Sequence, residues 1–349
     1  MNLQDLLHQC VMQHASDLHL SSGVPAMMRI DGDLVRVSDE VLRHDVIHHA
    51  VMAIMSDAQQ TRFQQSMECD FSFEIAGLSR FRVNAFQQSR GVSVAFRGIP
   101  DRMPDLDAIN APAILSDFVR SPRGLVLVTG PTGSGKSTTL AAMIHLLNKS
   151  TPKHILTIED PIEFVHTPDQ CLVQQREVGG HTLSFANALR AAMREDPNVI
   201  LVGEMRDLET IRLAITAAET GHLVFGTLHT SGAAKTIDRI IDVFPAEEKE
   251  MVRSMLSESL EAVISQVLCK RKDGAGRIAA FEIMVGTTAI RNLIREGKVA
   301  QMYSAMQTGS ALGMQTLDQS LSRLVSQGLV DASQAKAKAK YPDNFSAVH

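Results

Sequence analysis

Tryptophan is absent, tyrosine occurs twice, and aromatics make up only 4% of the 349 residues. Aliphatic side chains and 17 methionines must therefore fill the core. The four cysteines, Cys10, Cys69, Cys171 and Cys269, stand far apart with no C-x-x-C pair. That spacing argues against a structural zinc site and a disulfide scaffold, and reads as reduced thiols of a cytosolic protein. No run approaches the ~20 apolar residues of a membrane span. Met1–Leu20 has no basic stretch followed by an apolar one, so no secretory signal is expected. Any membrane association should be peripheral or through a partner. A basic excess is also lacking. The net charge of −5 disfavours wholesale nucleic-acid binding, and no nucleic-acid partner is expected. What remains is an ordinary globular balance, 44% hydrophobic and 21% charged. At roughly 100–200 residues per domain, the length predicts about two domains.

Residues 1–98 read as an α+β unit. Leu3, Leu6, Leu7, Cys10 and Val11 recur at helical spacing. Asp31-Gly32-Asp33 sits between apolar segments as a hairpin turn, because the later ligands of a calcium loop are missing. One helix is expected around Val46–Gln65, and paired strands over Arg80–Phe86 and Val92–Phe96, where side chains alternate with period two. Pro100, Pro104, Pro112 and Pro122 mark 99–123 as a linker, with a short helix around Ala113–Val119. Residues 124–349 begin as an alternating β/α domain. Strand-like runs occur at Gly124–Thr129, His154–Ile158, Asn198–Val202 and His222–Thr227, with helical patterns between them, so a mainly parallel sheet covered on both faces is expected. Beyond Asp238 the pattern predicts helices, including one over Ala246–Cys269, and Tyr341–His349 reads as a loose tail. The fold class is thus α/β.

The strongest chemical signal is Gly130-Pro131-Thr132-Gly133-Ser134-Gly135-Lys136-Ser137, a full G-x-x-x-x-G-K-[ST] between a strand and a helix that begins with Thr138. Glycines permit the tight path that turns successive N–H groups toward phosphate, and the helix N-terminus adds positive potential. Residues 130–138 are therefore the candidate nucleotide ligands, with Lys136 for the outer phosphates and the Ser137 hydroxyl for Mg²⁺. Acidic partners stand at predicted strand ends. Glu204 closes Asn198–Glu204 where an Asp is usual in such proteins, and Glu159, Asp160 and Glu163 follow another strand. His222 and His229 bracket the next strand as candidate phosphate sensors. His44 and His48 have metal-like i, i+4 spacing, but a solvated helix face explains it better. Arg80, Arg82, Arg90 and Arg97 crowd the first domain's strands, and phosphoryl transfer often uses an arginine from another domain or subunit. Ala289–Lys298 carries an apolar stripe flanked by Arg291 and Arg295.

Taken together, these motifs resemble the hexameric secretion ATPases of type IV pili and type II secretion, specifically the PilT-type retraction ATPases. The matching segments are Ala15–Leu20, Arg80–Asn84, Gly130–Ser137, Thr157–Phe164, Ile200–Asp207, Gly221–Thr230, Ala289–Glu296 and Gly313–Asp318. The resemblance implies a PAS-like N-terminal domain and a RecA-like P-loop domain with C-terminal helices. It implies that Glu163 is the catalytic carboxylate and that Glu204 is associated with Mg²⁺, through water. Arg82 and Arg97 would reach nucleotide across a subunit boundary, and His222 and His229 would sense it. Ala289–Glu296 would serve coupling or docking rather than hydrolysis. The expected protein is a homohexameric, Mg²⁺-dependent ATP hydrolase that drives type IV pilus retraction and twitching motility. It would be cytoplasmic, held at the inner-membrane pilus base by a platform protein, with an accessory retraction ATPase as a further candidate partner. The lack of a tetracysteine insertion and of extra N-terminal domains favours the retraction type over assembly ATPases. An accessory retraction ATPase and an assembly or type II secretion ATPase are the near alternatives. A nucleic-acid motor and a non-hydrolysing nucleotide-binding regulator are the distant ones.

Overall fold

The computed structural model describes residues 2–30, 32–99, 103–274 and 276–345. The chain divides into two compact units. The first is Met1–Arg102 with Pro161–Phe164, and the second is Met103–Asp160 with Val165–His349.

The first unit holds six strands: β1 Asp17–Ser21, β2 Pro25–Ile30, β3 Asp33–Val41, β4 Glu68–Ile75, β5 Ser79–Gln88 and β6 Gly91–Ile99. They form one antiparallel sheet in the order β3-β2-β1-β6-β5-β4. Alternation decides its faces. Leu18, Leu20, Phe81, Val83, Val94 and Phe96 point into a core with Leu7, Ile47 and Val51 of the helices. Arg82 and Arg97 take the intervening positions on the opposite face. The expected helix over Val46–Gln65 is two, His44–Ile54 and Asp57–Ser66. Ser56 starts the second with a capping box, its hydroxyl accepting from the Gln59 amide while the Gln59 side chain accepts from the Ser56 amide. Ile30 pairs with Asp33 across the expected hairpin, whose Asp31 lies outside the described residues.

The second unit begins inside the expected linker, whose Pro100 to Arg102 lie outside the described residues. Helix Ile114–Arg120 buries Leu115, Phe118 and Val119 against Val126 and Ile144, so this stretch is core rather than tether. Seven strands follow: β7 Gly124–Thr129, β8 His154–Glu159, β9 Leu172–Glu177, β10 Val199–Val202, β11 Leu223–Leu228, β12 Leu260–Lys270 and β13 Arg277–Val285. Their order is β13-β12-β7-β11-β10-β8-β9, all parallel except β13. β7, β10 and β11 are buried along their whole length, which is why they read as continuous apolar runs. The helix expected over Ala246–Cys269 ends at Ser259 and becomes β12. A strand covered on both faces is apolar throughout, and periodicity alone cannot separate it from a buried helix. Helices Thr288–Arg295, Val299–Thr308, Leu317–Ser326 and Ala332–Lys338 complete the unit. Of the expected tail, residues 346–349 lie outside the described residues.

Candidate nucleotide site

Because β12, β7, β11, β10 and β8 run parallel, their carboxyl ends share one edge of the sheet. Gly130–Ser137 follows β7, His229 follows β11, Glu204 follows β10, and Glu159 ends β8. Neighbouring strands lie about 4.8 Å apart, so the topology gathers these residues although nearly a hundred positions separate the first from the last.

The loop after β7 has the conformation its glycines permit. Gly130, Gly133 and Gly135 have φ of 142°, 76° and 89°. A Cβ on Gly130 would stand 2.3 Å from the Gln266 carbonyl oxygen and 2.6 Å from Ser134 Oγ, so only glycine fits between loop and β12. Gln266, buried on β12, donates from Nε2 to the Ser134 carbonyl at 2.7 Å and fixes the loop's crown. Lys136 is buried at the helix start and donates from Nζ to the carbonyls of Gly130 at 2.9 Å and Pro131 at 3.1 Å. Ser137 and Thr138 stand half-buried in the first turn of the helix. A glycine-shaped cradle, a helix N-terminus and an ammonium held at the loop form a donor set suited to a phosphate chain. The Ser137 hydroxyl fits a Mg²⁺ accompanying it.

Glu204 is the acidic centre of this edge. His229 Nε2 lies 2.9 Å from its Oε1, and Arg206 Nη2 donates to its Oε2 at 2.6 Å. Burial raises its pKa, but the hydrogen bonds and charges of Arg206 and His229 outweigh this and hold it below the usual carboxylate range. With both oxygens engaged, Glu204 is suited to orient water around a cation rather than to surrender an oxygen to it. Backbone packing keeps this group in place: the Gly203 amide donates to the Ile158 carbonyl at 2.7 Å, and the Met205 amide to Thr227 at 2.9 Å. Glu159 accepts from Thr157 Oγ1 at 2.6 Å and from Gln175 Nε2 at 3.2 Å.

Not every expected residue joins this cluster. His222 precedes β11, beside the amino end of β7, where its carbonyl accepts from the Gly124 amide at 3.0 Å. A strand of six residues separates it from His229, roughly 20 Å at 3.3 Å per residue. It lines a different depression of about 410 Å³ with Arg120, Lys153 and Asn198. Within this chain, His222 is therefore removed from the loop of residues 130–137. The two histidines are close in sequence, but a buried strand puts its two ends on opposite edges of the sheet. Glu163 belongs to the first unit, where Arg82 Nη1 lies 3.8 Å from its Oε1. Arg97 is the cross-strand partner of Arg82 and donates from Nε to Asp17 Oδ1 at 2.8 Å. The basic flanks of the Ala289–Glu296 helix, expected as a docking surface, are paired within the unit. Arg291 donates to the carbonyls of Gly286 at 2.6 Å and Ser257 at 2.8 Å, and Arg295 to Glu258 Oε1 at 2.8 Å. Two residues of the site carry little or no local signal in the sequence. Arg206 was signalled only by standing two positions after Glu204, and Gln266 by nothing in its neighbourhood.

The chain matches the family described as type II/IV secretion system protein over residues 2–337. It is 62% identical over 345 residues to the type IV pilus retraction ATPase PilT of Pseudomonas aeruginosa, covering 99% of this chain and 100% of that one. It is 59% identical over 320 residues to a twitching motility protein of Neisseria gonorrhoeae, covering 92% of this chain and 86% of that one. The crystal structure of the pilus retraction motor PilT with bound ADP superposes with a TM-score of 0.90 at 44% identity, covering 99% of this chain and 98% of that one.

Proposed function

Since the chain belongs to the type II/IV secretion system protein family, we propose that it hydrolyses ATP to retract type IV pili and so drives twitching motility. The observation that carries the reading is the phosphate cradle Gly130–Ser137 on the same sheet edge as Glu204 and His229, in a chain similar throughout to a retraction ATPase. That similarity also favours the retraction motor over an accessory, assembly or secretion ATPase. A non-hydrolysing regulator would have little use for a carboxylate held ionised beside a phosphate loop.

In this proposal the loop amides and Lys136 hold the phosphates and neutralise the charge that builds on them. The Ser137 hydroxyl and, through water, Glu204 would hold a Mg²⁺, which would supply further neutralisation of the phosphate charge. His229, paired with Glu204, reports the state of the outer phosphate. Glu163 orients the attacking water and takes its proton. Arg82 and Arg97 reach the nucleotide of a neighbouring chain, which makes a homohexameric ring the working assembly. The ring acts on an inner-membrane platform protein, with or without an accessory ATPase. Among the described residues no helix is long and apolar enough to cross a membrane, so attachment to the pilus base runs through that partner. Docking falls to the exposed Thr288, Ala289 and Asn292, since Arg291 and Arg295 are internally paired and Leu293 packs against the core. His222 has no role at the nucleotide of its own chain.

The test is purified ATPase activity beside pilus retraction in cells. Glu163→Gln and Glu204→Ala should each lower kcat about 100-fold or more and abolish retraction. Ala289→Asp should keep ATPase and lose retraction. Normal turnover in Glu163→Gln would remove it as the base. Intact retraction in cells lacking this protein would remove the motor assignment.

A further inference from the structure

Glu282 is a buried carboxylate, 6% exposed on β13, two strands from β7 and level with its carboxyl end. Both its oxygens are spoken for by backbone. Oε1 accepts from the Ala233 amide at 2.7 Å, and Oε2 from the Leu317 amide at 3.3 Å. These donors are the first residues of two different helices, Ala233–Asp242 and Leu317–Ser326. An ion this deeply buried costs several kcal/mol unless it is well satisfied. Helix N-termini satisfy it, because their first amides lack intrahelical partners and the helix dipole favours negative charge there.

The helix Ala233–Asp242 has no cap of its own. Its N-cap is Gly232, at φ 109°, without a side-chain hydrogen bond, and a Cβ there would stand 3.5 Å from Glu282 Oε1. Directly across from Glu282 in the strand pair is Ser265, whose Oγ accepts from the Gly232 amide at 3.0 Å. Thr236 Oγ1 adds bonds to the Gly232 carbonyl at 2.9 Å and to Thr230 Oγ1 at 2.7 Å. These bonds tie the segment just before that helix to β12, β13 and the helix itself. That segment carries His229, three residues before Gly232 and 2.9 Å from Glu204. Next to Ser265 on β12 is Gln266, which holds the phosphate loop.

We infer that Glu282 is a positioning residue for ATP hydrolysis. Its carboxylate fixes the start of helix Ala233–Asp242, and thereby places His229 against Glu204. Through Leu317 it joins that placement to the C-terminal helix following Gly313–Thr316. Helix stability alone would be served by a serine or asparagine at the cap. A single carboxylate shared between two helix starts makes the position of one depend on the other. The inference rests on the ATPase reading and adds a residue to it.

The test is steady-state ATPase kinetics and binding of a fluorescent ADP analogue, on the full-length protein, for wild type, Glu282→Gln, His229→Ala and the double variant. Glu282→Gln keeps the shape but sets an NH₂ against one of the two amides. It should lower kcat about tenfold or more while the analogue's Kd changes by less than about twofold. In the His229→Ala background the same change should cost less than about a further twofold, because the placed side chain is gone. Ser265→Ala removes the neighbouring tie without touching a charge. It should lower kcat less, with the same dependence on His229, and it decides the matter if Glu282→Gln does not fold. An unchanged kcat, or an equal loss with and without His229, overturns the inference. A wild type without turnover would instead sink the ATPase reading beneath it.

Discussion

Acid should unfold the second unit through one side chain in particular. His166 is 7% exposed, and its Nδ1 is buried without a hydrogen-bond partner among the described residues. Burial pushes its pKa down from 6.5 to about 4, with the nearby charge of His145 acting in the same direction. A folded pKa below the unfolded one means that the unfolded chain takes up the proton first. The contribution is therefore fully present above about pH 6.5, declines as pH falls, and is exhausted below about pH 4. In full the gap is worth about 3 kcal/mol, of which roughly 2 kcal/mol is expressed between pH 7 and pH 4.5. The assay is urea unfolding followed by far-UV circular dichroism at both pH values, since the chain has no tryptophan to report by fluorescence. Carboxylates titrate in the same interval, so wild type must be compared with His166→Gln. The variant should lose about 2 kcal/mol less than wild type on acidification, whatever its stability at pH 7. Equal losses would show that His166 takes up its proton as readily in the folded protein as in the unfolded chain and refute the reasoning. The matter bears on function because the His166 amide, bonded to Gln175 at 2.8 Å, stands three residues beyond Glu163.

Two glycine substitutions separate close packing from backbone conformation. Gly130→Ala drives a Cβ into the Gln266 carbonyl and should weaken nucleotide binding at least about tenfold by equilibrium titration. Gly221→Ala, with a φ of 119° but no heavy atom within 4 Å of its Cβ, should cost roughly 1–3 kcal/mol of stability and leave nucleotide affinity unchanged. Equal effects on binding would mean that the cradle is not shaped as described. Arg291→Ala strands the Gly286, Ser257 and Glu258 carbonyls and the Glu261 carboxylate, and should destabilise by about 3 kcal/mol in urea unfolding. Arg291→Lys should recover less than half, because an ammonium lacks the planar fork. A loss below about 1 kcal/mol would return Arg291 to the candidates for an exposed docking surface.

Legibility in the sequence followed the range of the interactions. The loop Gly130–Ser137 was readable because everything its conformation needs lies within eight consecutive residues and the strand and helix beside them. β7, β8, β10 and β11 announced themselves by apolar runs between turn signals, and they also placed Glu204. The break at Ser56 is hidden although its capping box is local, because the apolar spacing continues across it. β12 reads as helix in the sequence because burial on both faces erases the alternation that marks a strand.

The sequence by itself determined the α/β class, the phosphate loop with Lys136 and Ser137, the carboxylate at Glu204 and, by resemblance, the kind of machine this is. Tertiary structure alone decided which candidates meet. It separated His222 from His229, paired Glu163 with Arg82, turned Arg291 inward and tied Arg295 to Glu258. It also brought Gln266 and Glu282 to loops more than forty residues away. The reason is geometric: spacing along a chain predicts neighbours on one element, whereas strand order and direction decide which ends share an edge.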